Sequence, residues 1–498
     1  MTSPARLFER LVFVALLASA GCSCGADPHG VADAGPGVDA SNGTDAAEPP
    51  PVGYPPAFSS GHADYDAAYL KALAVIDSDI VAGKFIAGEN WARVWTRDSA
   101  YSIDLGAGLV QPEVSKATLE AMIDTWSEPD DTWAQDIAGH FGGWPRLTDS
   151  IVGAQGAWAL YAITGDRDML ARAYDVTVST LARAERDAFD ASSGLFKGCS
   201  TFMESNSGYP ARFQNDGELV GRTKALSTNI LYYRAYVVAA EMARILGADP
   251  AAFDTKAAAL ATAINARLWS AELGYYVYFE DETGAQETRM EATGNAFAVV
   301  WGVADAERAA SIMANIPVTP SGIPCLWPQY PDWTNYDAND ASYYHNGMVW
   351  PFVQGYWAWA AARAKSTSRL EVELDRLRAL SERADTFHEF YRPEDGTPDG
   401  SPRQLWSAAG YLAMIYHALF GMELGPTAID FAPVVPPLFD HLTLEGVHVR
   451  DMTLNVTVNG AGTEIASFML DGAAQAEHRV ASDLTGTHDV VIEMAPLL

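Results

Sequence analysis

"TNILYYRAYVVAAEMARILG", Thr228–Gly247, decides the fold class. Leu231, Ala235, Val238, Met242 and Ile245 recur at spacings of 4, 3, 4 and 3, the apolar stripe of an α-helix. Gly247 follows as a stop signal. The same reading predicts helices over 62–77, 111–126, 150–164, 168–187, 252–269, 304–315, 347–364, 368–386 and 405–420, with shorter ones near 99–108 and 290–301. About twelve helices, joined by loops rich in Trp, Tyr, Asp, Glu, Gly and Pro, point to an all-α (α/α)6 toroid in which six inner helices ring a cleft. A solenoid would give a similar count, but the chain has no fixed-period repeat.

The tail changes character. In "HLTLEGVHVRDMTLNVTVNG", Leu442, Leu444, Val447, Val449, Leu454, Val456 and Val458 alternate with polar residues between Gly and Asn-Gly turns. This predicts a small C-terminal antiparallel β module over 430–498. The toroid then spans 58–429.

Composition narrows the function. Of 498 residues, 64 are acidic and 32 basic, a net charge of −32. That balance argues against duplex nucleic acid and against an anionic membrane surface as partners. Aromatics reach 11%, with 14 Trp and 21 Tyr, the residues that offer a flat apolar face with a polar tip.

Residues 1–24 read as an export signal. Arg6 and Arg10 precede the apolar run Leu11–Ala20, which is too short to span a bilayer. Ala-Gly-Cys ending at Cys22 resembles a lipoprotein cleavage site with a lipidated cysteine, although Ser19 leaves plain secretion open. Residues 25–57, rich in Ala, Gly, Pro and Asp, read as a flexible tether. The expected location is an outer membrane or cell surface, otherwise the periplasm or medium, with the lipid as the sole membrane contact. Cys199 and Cys325 lie in the body and are free to pair in an oxidising compartment. No Cys/His spacing suggests a metal, and no cofactor is expected.

Five stretches carry the chemistry. "SYYHNGMVWPFVQGYW", Ser342–Trp357, concentrates hydrogen-bonding aromatics without a charge, a surface that suits the C–H faces and hydroxyls of a sugar. "KGCSTFMESNSGYPARF" puts Glu204 beside Phe202 and Met203, surroundings that raise a carboxyl pKa as a general acid requires; a surface or capping glutamate is the bland alternative. "DTFHEFYRPEDG" places Glu389 among aromatics at a helix end, with His388 and Arg392 favouring its carboxylate. "WARVWTRDSAYS" sets Arg97 and Asp98 between Trp95 and Tyr101, a couple able to hold vicinal hydroxyls or to form a buried ion pair. In "GGWPRLTDSIVG", Asp149 is expected to cap the helix starting at Ser150 or to reach substrate, and Trp144, like Trp95, is expected among the substrate-binding residues.

These motifs resemble a family. "YYHNGMVWPF" is very close to the Y-H-N-G-x-V-W-P-W signature of glycogen-debranching amylo-α-1,6-glucosidases. "WTRDS" looks like their W-G-R-D-T loop, "STFMES" like their T-W-M-D loop, and "EFYRPEDG…SPRQLWSAA" like their base glutamate followed by Q-A-W-S. The same order recurs in the six-hairpin clan of trehalases, mannosylglycerate hydrolases and processing α-glucosidases, and it covers most of residues 85–425. The resemblance implies inverting hydrolysis of an α-linked glucoside or oligosaccharide. It gives Glu204 the acid position and Glu389 the base position. It gives Arg97 and Asp98 the sugar hydroxyls, Tyr344, His345, Asn346 and Trp350 the pocket lining, and Gln404 and Trp406 its wall. In an inverting enzyme the two carboxyls stand roughly 6.5–9.5 Å apart. This sequence departs from the pattern in having Glu at the acid position, "WTRD" for W-G-R-D, and only a tether before the toroid. The competing readings are a rhamnosidase-like or phosphorolytic member of the clan, and a carbohydrate-binding lipoprotein on an inactive toroid; the presence of both carboxyls weighs against the last. A monomer is expected.

Overall fold

The computed structural model describes residues 55–125, 132–135, 143–203, 206–213, 216–331 and 344–496. The expected export signal with Cys22, most of the expected tether, and Glu204 lie outside the described residues. Two short pieces aside, the helices described are α1 (Ala63–Ser78), α2 (Thr96–Ser102), α3 (Pro112–Thr125), α4 (Gly153–Thr164), α5 (Arg167–Asp187), α6 (Leu226–Leu246), α7 (Ala251–Arg267), α8 (Ala292–Val300), α9 (Ala306–Asn315), α10 (Pro351–Arg363), α11 (Thr367–Ala384) and α12 (Leu405–Ala413).

The even-numbered helices form the inner ring. Every residue of α8 is buried, and so is every residue of α10 from Pro351 to Ala362. The odd-numbered helices bury one stripe. In α5 the buried set is Met169, Leu170, Ala173, Val176, Thr177, Thr180, Leu181 and Ala184, with charges on the other face. Each inner helix packs on the next, and α12 packs back on α2, which closes the ring. Glycines let two neighbours meet at the backbone. A Cβ on Gly355 of α10 would stand 2.6 Å from the Cα of Gly410 on α12.

The ring is filled at mid-height. Tyr101 of α2 reaches Phe297 of α8 on the opposite side, ring centroids 5.7 Å apart. Phe352 and Tyr356 of α10 close on the same tyrosine, each at 5.7 Å. All four rings are fully buried and together form an aromatic plug.

Several expectations need correction. The body is not all-α. A sheet ordered Leu326–Trp327, Gln286–Glu291, Tyr275–Glu280, Lys224–Ala225 lies among its loops. "YYVYFE", Tyr275–Glu280, has the aromatic and β-branched content of a strand. Asp281 builds the following turn by accepting from the backbone N–H groups of Thr283 and Ala285 at 2.8 and 2.9 Å. Helix α10 starts at Pro351 and not at 347, because proline favours the first helical position and holds Trp350 extended. The C-terminal β structure begins at Met422, eight residues before the expected boundary at 430. Its main sheet is mixed. Strands Met452–Asn459 and Gly486–Met494 run parallel, because the last strand inserts between Met452–Asn459 and Ile465–Leu470. Residues Ala57–Ser59, taken partly as tether, form the edge strand of this sheet against Thr443–Glu445. Cys199 and Cys325 are both buried and are not joined to each other. Among the described residues no helix is long and apolar enough to cross a membrane.

The glycine contact between α10 and α12 yields a stability test. Gly355→Ala is expected to destabilise the fold by about 1–3 kcal/mol in denaturant unfolding, as overpacking does. Ala258→Ser, on the exposed face of α7, should stay within about 0.5 kcal/mol of the parent. Equal stability of the two variants would show that the α10–α12 contact is not backbone-tight.

Candidate active site

The loops that enter the inner helices gather at one end of the ring. Arg97, in the first turn of α2, ties four of them together. Its Nη1 donates to the carbonyl of Thr201 at 2.9 Å and pairs with Asp149 at 3.3 Å. Its Nε stands 4.0 Å from Asp98, and its guanidinium lies over the ring of Trp406 at 5.9 Å. Asp149 therefore does not cap. It opens a 3-10 turn, Asp149–Val152, whose N-cap is Thr148 and carries no side-chain capping bond. The opposite charge on Arg97 takes the carboxylate instead. Asp98 is buried and accepts from Gln404 Nε2 at 3.3 Å. Gln404 is itself the extended residue ahead of α12.

Trp350, just before α10, is the centre of the aromatic wall. Its indole packs on Phe202 at 5.4 Å, His345 at 5.4 Å, Phe390 at 5.0 Å and Trp406 at 5.9 Å. Trp406 also stacks on Phe352 at 4.2 Å. His345 is buried beside Ser207, 3.2 Å from Nδ1. Burial, reinforced by the charge of Arg97, pushes its pKa well down, so the imidazole is neutral. Asn346 serves the backbone, since its amide accepts from Tyr330 N at 2.7 Å and donates to Tyr330 O at 3.1 Å.

Glu389 lies in the loop after α11, next to the two-residue strand Phe390–Tyr391. It is 3% exposed. Three donors converge on its carboxyl: Trp91 Nε1 at 2.9 Å, Ser401 N at 2.8 Å and Tyr344 OH at 3.3 Å. Two backbone features make this clamp. Tyr344 sits at φ 43°, a left-handed conformation that non-glycine residues rarely adopt and that recurs at functional sites. Gly400, at φ 72°, lets the backbone pass where a Cβ would come within 2.6 Å of Glu389 Oε2. Burial raises the Glu389 pKa, while the three donors pull it down. The expected help from a positive His388 is corrected: burial lowers the His388 pKa and keeps that ring neutral.

Arg97, Asp98, Asp149, Tyr344, His345, Trp350, Glu389, Gln404 and Trp406 thus form one connected group. Trp95 precedes α2 and is buried beside Arg93, 5.8 Å from its ring. Trp144 is tied to α5, donating to Asp187 at 2.9 Å with Arg183 at 4.4 Å over its ring. Sequence reading missed Trp91 and Glu291. Trp91 belongs to the same W-A-R-V-W run as Trp95, which was the available signal. Glu291 ends the strand Gln286–Glu291 directly ahead of α8, fully buried. It accepts from Ser200 Oγ and Ser227 Oγ, both at 2.5 Å, and from Ser227 N at 3.1 Å. It thereby fixes residues 199–203, the chain that leads to Glu204, against the start of α6. Among the described residues no group of three or more His, Cys, Asp or Glu is placed to hold a metal.

Comparison with known proteins adds a family. The mannosylglycerate hydrolase MGH1-like glycoside hydrolase domain matches residues 92–407. The mannosylglycerate hydrolase of Rubrobacter radiotolerans is 31% identical over 252 residues, 48% of this chain and 52% of that protein. The chain therefore spans about half the length of this curated relative. Among solved structures, a mannosylglycerate hydrolase from Thermus thermophilus, in complex with Tris, matches with a TM-score of 0.56 at 17% identity, over 70% of this chain and 100% of its own. A rhamnosidase of Bacillus sp. GL1 matches with a TM-score of 0.60 at 16% identity, over 90% of this chain and 44% of its own. At these identities the structural likeness speaks to the helical toroid alone.

The buried carboxyl of Glu291 has a pH signature. Burial raises its pKa from 4.5 to about 7, so the folded state binds the proton more tightly than the unfolded chain. Stability from this group is present at low pH and is lost as pH rises from 4.5 to about 7, at up to about 1.4 kcal/mol per unit. Asp79 and Glu373, also raised to about 7, add to the slope. Unfolding free energies followed across that window should fall less steeply for Glu291→Gln than for the parent chain. Parallel slopes would contradict a neutral Glu291.

Proposed function

Because the chain belongs to the mannosylglycerate hydrolase MGH1-like glycoside hydrolase family, matched over residues 92–407, we propose that it hydrolyses an α-linked glycoside with inversion of configuration. The observation that carries the reading is Glu389, buried beneath three hydrogen-bond donors within the Arg97–Asp98–Trp350 group at the mouth of the ring. Glu389 is the base that draws a proton from the attacking water. Glu204 is the acid that protonates the leaving oxygen. Support for Glu204 comes from the described residue before it: Met203 is fully buried, and neighbouring Phe202 packs edge-on against His345 and Trp350. Arg97 and Asp98 bind vicinal hydroxyls of the sugar in the deepest subsite, and the faces of Trp350 and Trp406 shape its wall.

The substrate is a small α-glycoside of a hexose. Two motif likenesses bear on it: the family match favours a hexosyl-glycerate, and "YYHNGMVWPF" favours an α-1,6-linked glucoside. A panel of mannosylglycerate, glucosylglycerate, isomaltose, trehalose and a rhamnoside, scored by released sugar, decides between them. No release from any of them would favour the carbohydrate-binding reading. The N-terminal segment directs export, with Cys22 lipidated; incorporation of labelled palmitate that disappears in Cys22→Ser tests this.

The two carboxyls should respond differently to substitution. Glu389→Gln and Glu204→Gln should each lower kcat/KM by about 10²- to 10⁴-fold. An activated leaving group that needs no proton should restore Glu204→Gln and leave Glu389→Gln slow, while azide restores the latter. Rescue of the opposite mutants would exchange the roles. Since burial raises the Glu389 pKa, the acid limb of kcat/KM should lie above the ordinary glutamate range, and an acid limb at an ordinary value would remove Glu389 as the base.

A further inference from the structure

Below the aromatic plug the ring opens again. A cavity of about 350 Å³ is lined by Asp104, Gln155, Trp158, Arg234, Trp301 and Trp359, among others. These residues come from the turn that continues α2, from α4, α6 and α10, and from the residue that follows α8. The plug separates this chamber from the candidate active site. On its upper side the Tyr101 hydroxyl meets Thr201 Oγ1 at 2.5 Å, and on its lower side the Tyr356 hydroxyl donates to Asp104 at 2.7 Å.

The lower chamber sets one cation, Arg234, on the same lining as the carboxyl of Asp104. Asp104 is buried, and two neutral donors, Tyr356 and Gln155 Nε2 at 2.7 Å, hold its carboxyl. Arg234 donates through Nε to Gln155 Oε1 at 2.7 Å. Among the described residues its two Nη groups have no hydrogen-bond partner, and no carboxylate lies within ion-pair distance. Arg363, at the mouth, is paired with Glu423 at 3.0 Å. The floor is rigid. Trp359 stacks on His417 at 4.0 Å, and both ring nitrogens of His417 are 2.9 Å from backbone carbonyls, of Asp104 and of Met422.

Arg234 is only part-buried and shares the chamber with the Asp104 carboxyl across Gln155, and its two Nη groups stand open to the cavity as donors for a ligand. A carboxylate matches its two parallel N–H donors. Indole faces beside Asp104 and Gln155 suit the C–H surface and hydroxyls of a polyol. The volume is that of about ten waters and falls at the small end of ligand pockets, enough for one sugar-sized molecule. We propose that this lower chamber is a second ligand site, separate from the candidate active site, for a small hydroxylated carboxylate of the sugar-acid type.

Calorimetric titration of the full chain with D-glucuronate tests the proposal. A dissociation constant on the order of 1 mM is expected for so small a ligand. Arg234→Met should weaken binding at least tenfold, and so should Arg363→Met, a half-exposed site where folding is not at risk. Asp98→Ala, in the upper chamber, should leave binding unchanged, and D-glucose should not compete. The proposal is overturned by absence of binding, by unchanged binding in both arginine variants, by loss of binding in Asp98→Ala, or by competition from D-glucose. Inorganic phosphate binding as tightly as D-glucuronate would likewise overturn it, because the hydroxylated body would then contribute nothing.

Discussion

One guanidinium holds the upper end of the ring together. Arg97 meets Asp98 on its own helix, Asp149 ahead of α4, the carbonyl of Thr201 on the way to α6, and the face of Trp406 on α12. These segments are far apart in sequence. A buried cation with several acceptors is stable only when all of them are in place. Arg97 therefore couples the loops to one another: the pocket is assembled as a unit or not at all. Its charge also suppresses protonation of His345, which lets that ring pack against Trp350 as a neutral aromatic.

The helical architecture was legible because it depends on periodicity. The stripe in Thr228–Gly247 and its counterparts survive as α-helices nearly at the expected bounds. What escaped depends on pairing between distant segments. The strand Tyr275–Glu280 is an apolar and aromatic run without strict alternation, and its partners lie before and after it in the chain. The parallel neighbour in the C-terminal sheet could not be read from alternation, which is blind to strand direction. Likewise, the fusion of Ala57–Ser59 to that sheet joins residues nearly four hundred positions apart.

The site follows the same division. Residue type and local composition marked Arg97, Asp98, Glu389 and Trp350, the family resemblance marked Trp406, and the fold brings these into one group. The roles of their neighbours did not follow. Asp149 precedes a helix and looks like a cap, yet a cation arriving from α2 outcompetes the free N–H groups of its own turn. Asn346 sits in the most distinctive motif, yet its amide is committed to the backbone of Tyr330. His388 is next to Glu389 in sequence, yet the carboxyl is held by Trp91, Tyr344 and Ser401. Such partners are selected by three-dimensional approach, and Gly400 permits that approach by lacking a side chain.

The edge strand Ala57–Ser59 has a mechanical consequence. It pairs antiparallel with Thr443–Glu445, and Phe58 packs on Tyr69 of α1 at 5.3 Å. A pull on the chain ahead of residue 57 is thus received by a short β ladder and an aromatic contact before it reaches the first helix. The load is shared with the C-terminal sheet, which meets the C-terminal end of α4, whereas Asp149 and Arg97 lie at its other end. Tension on the chain ahead of this strand would be taken up there before it reached the group around Arg97 and Glu389.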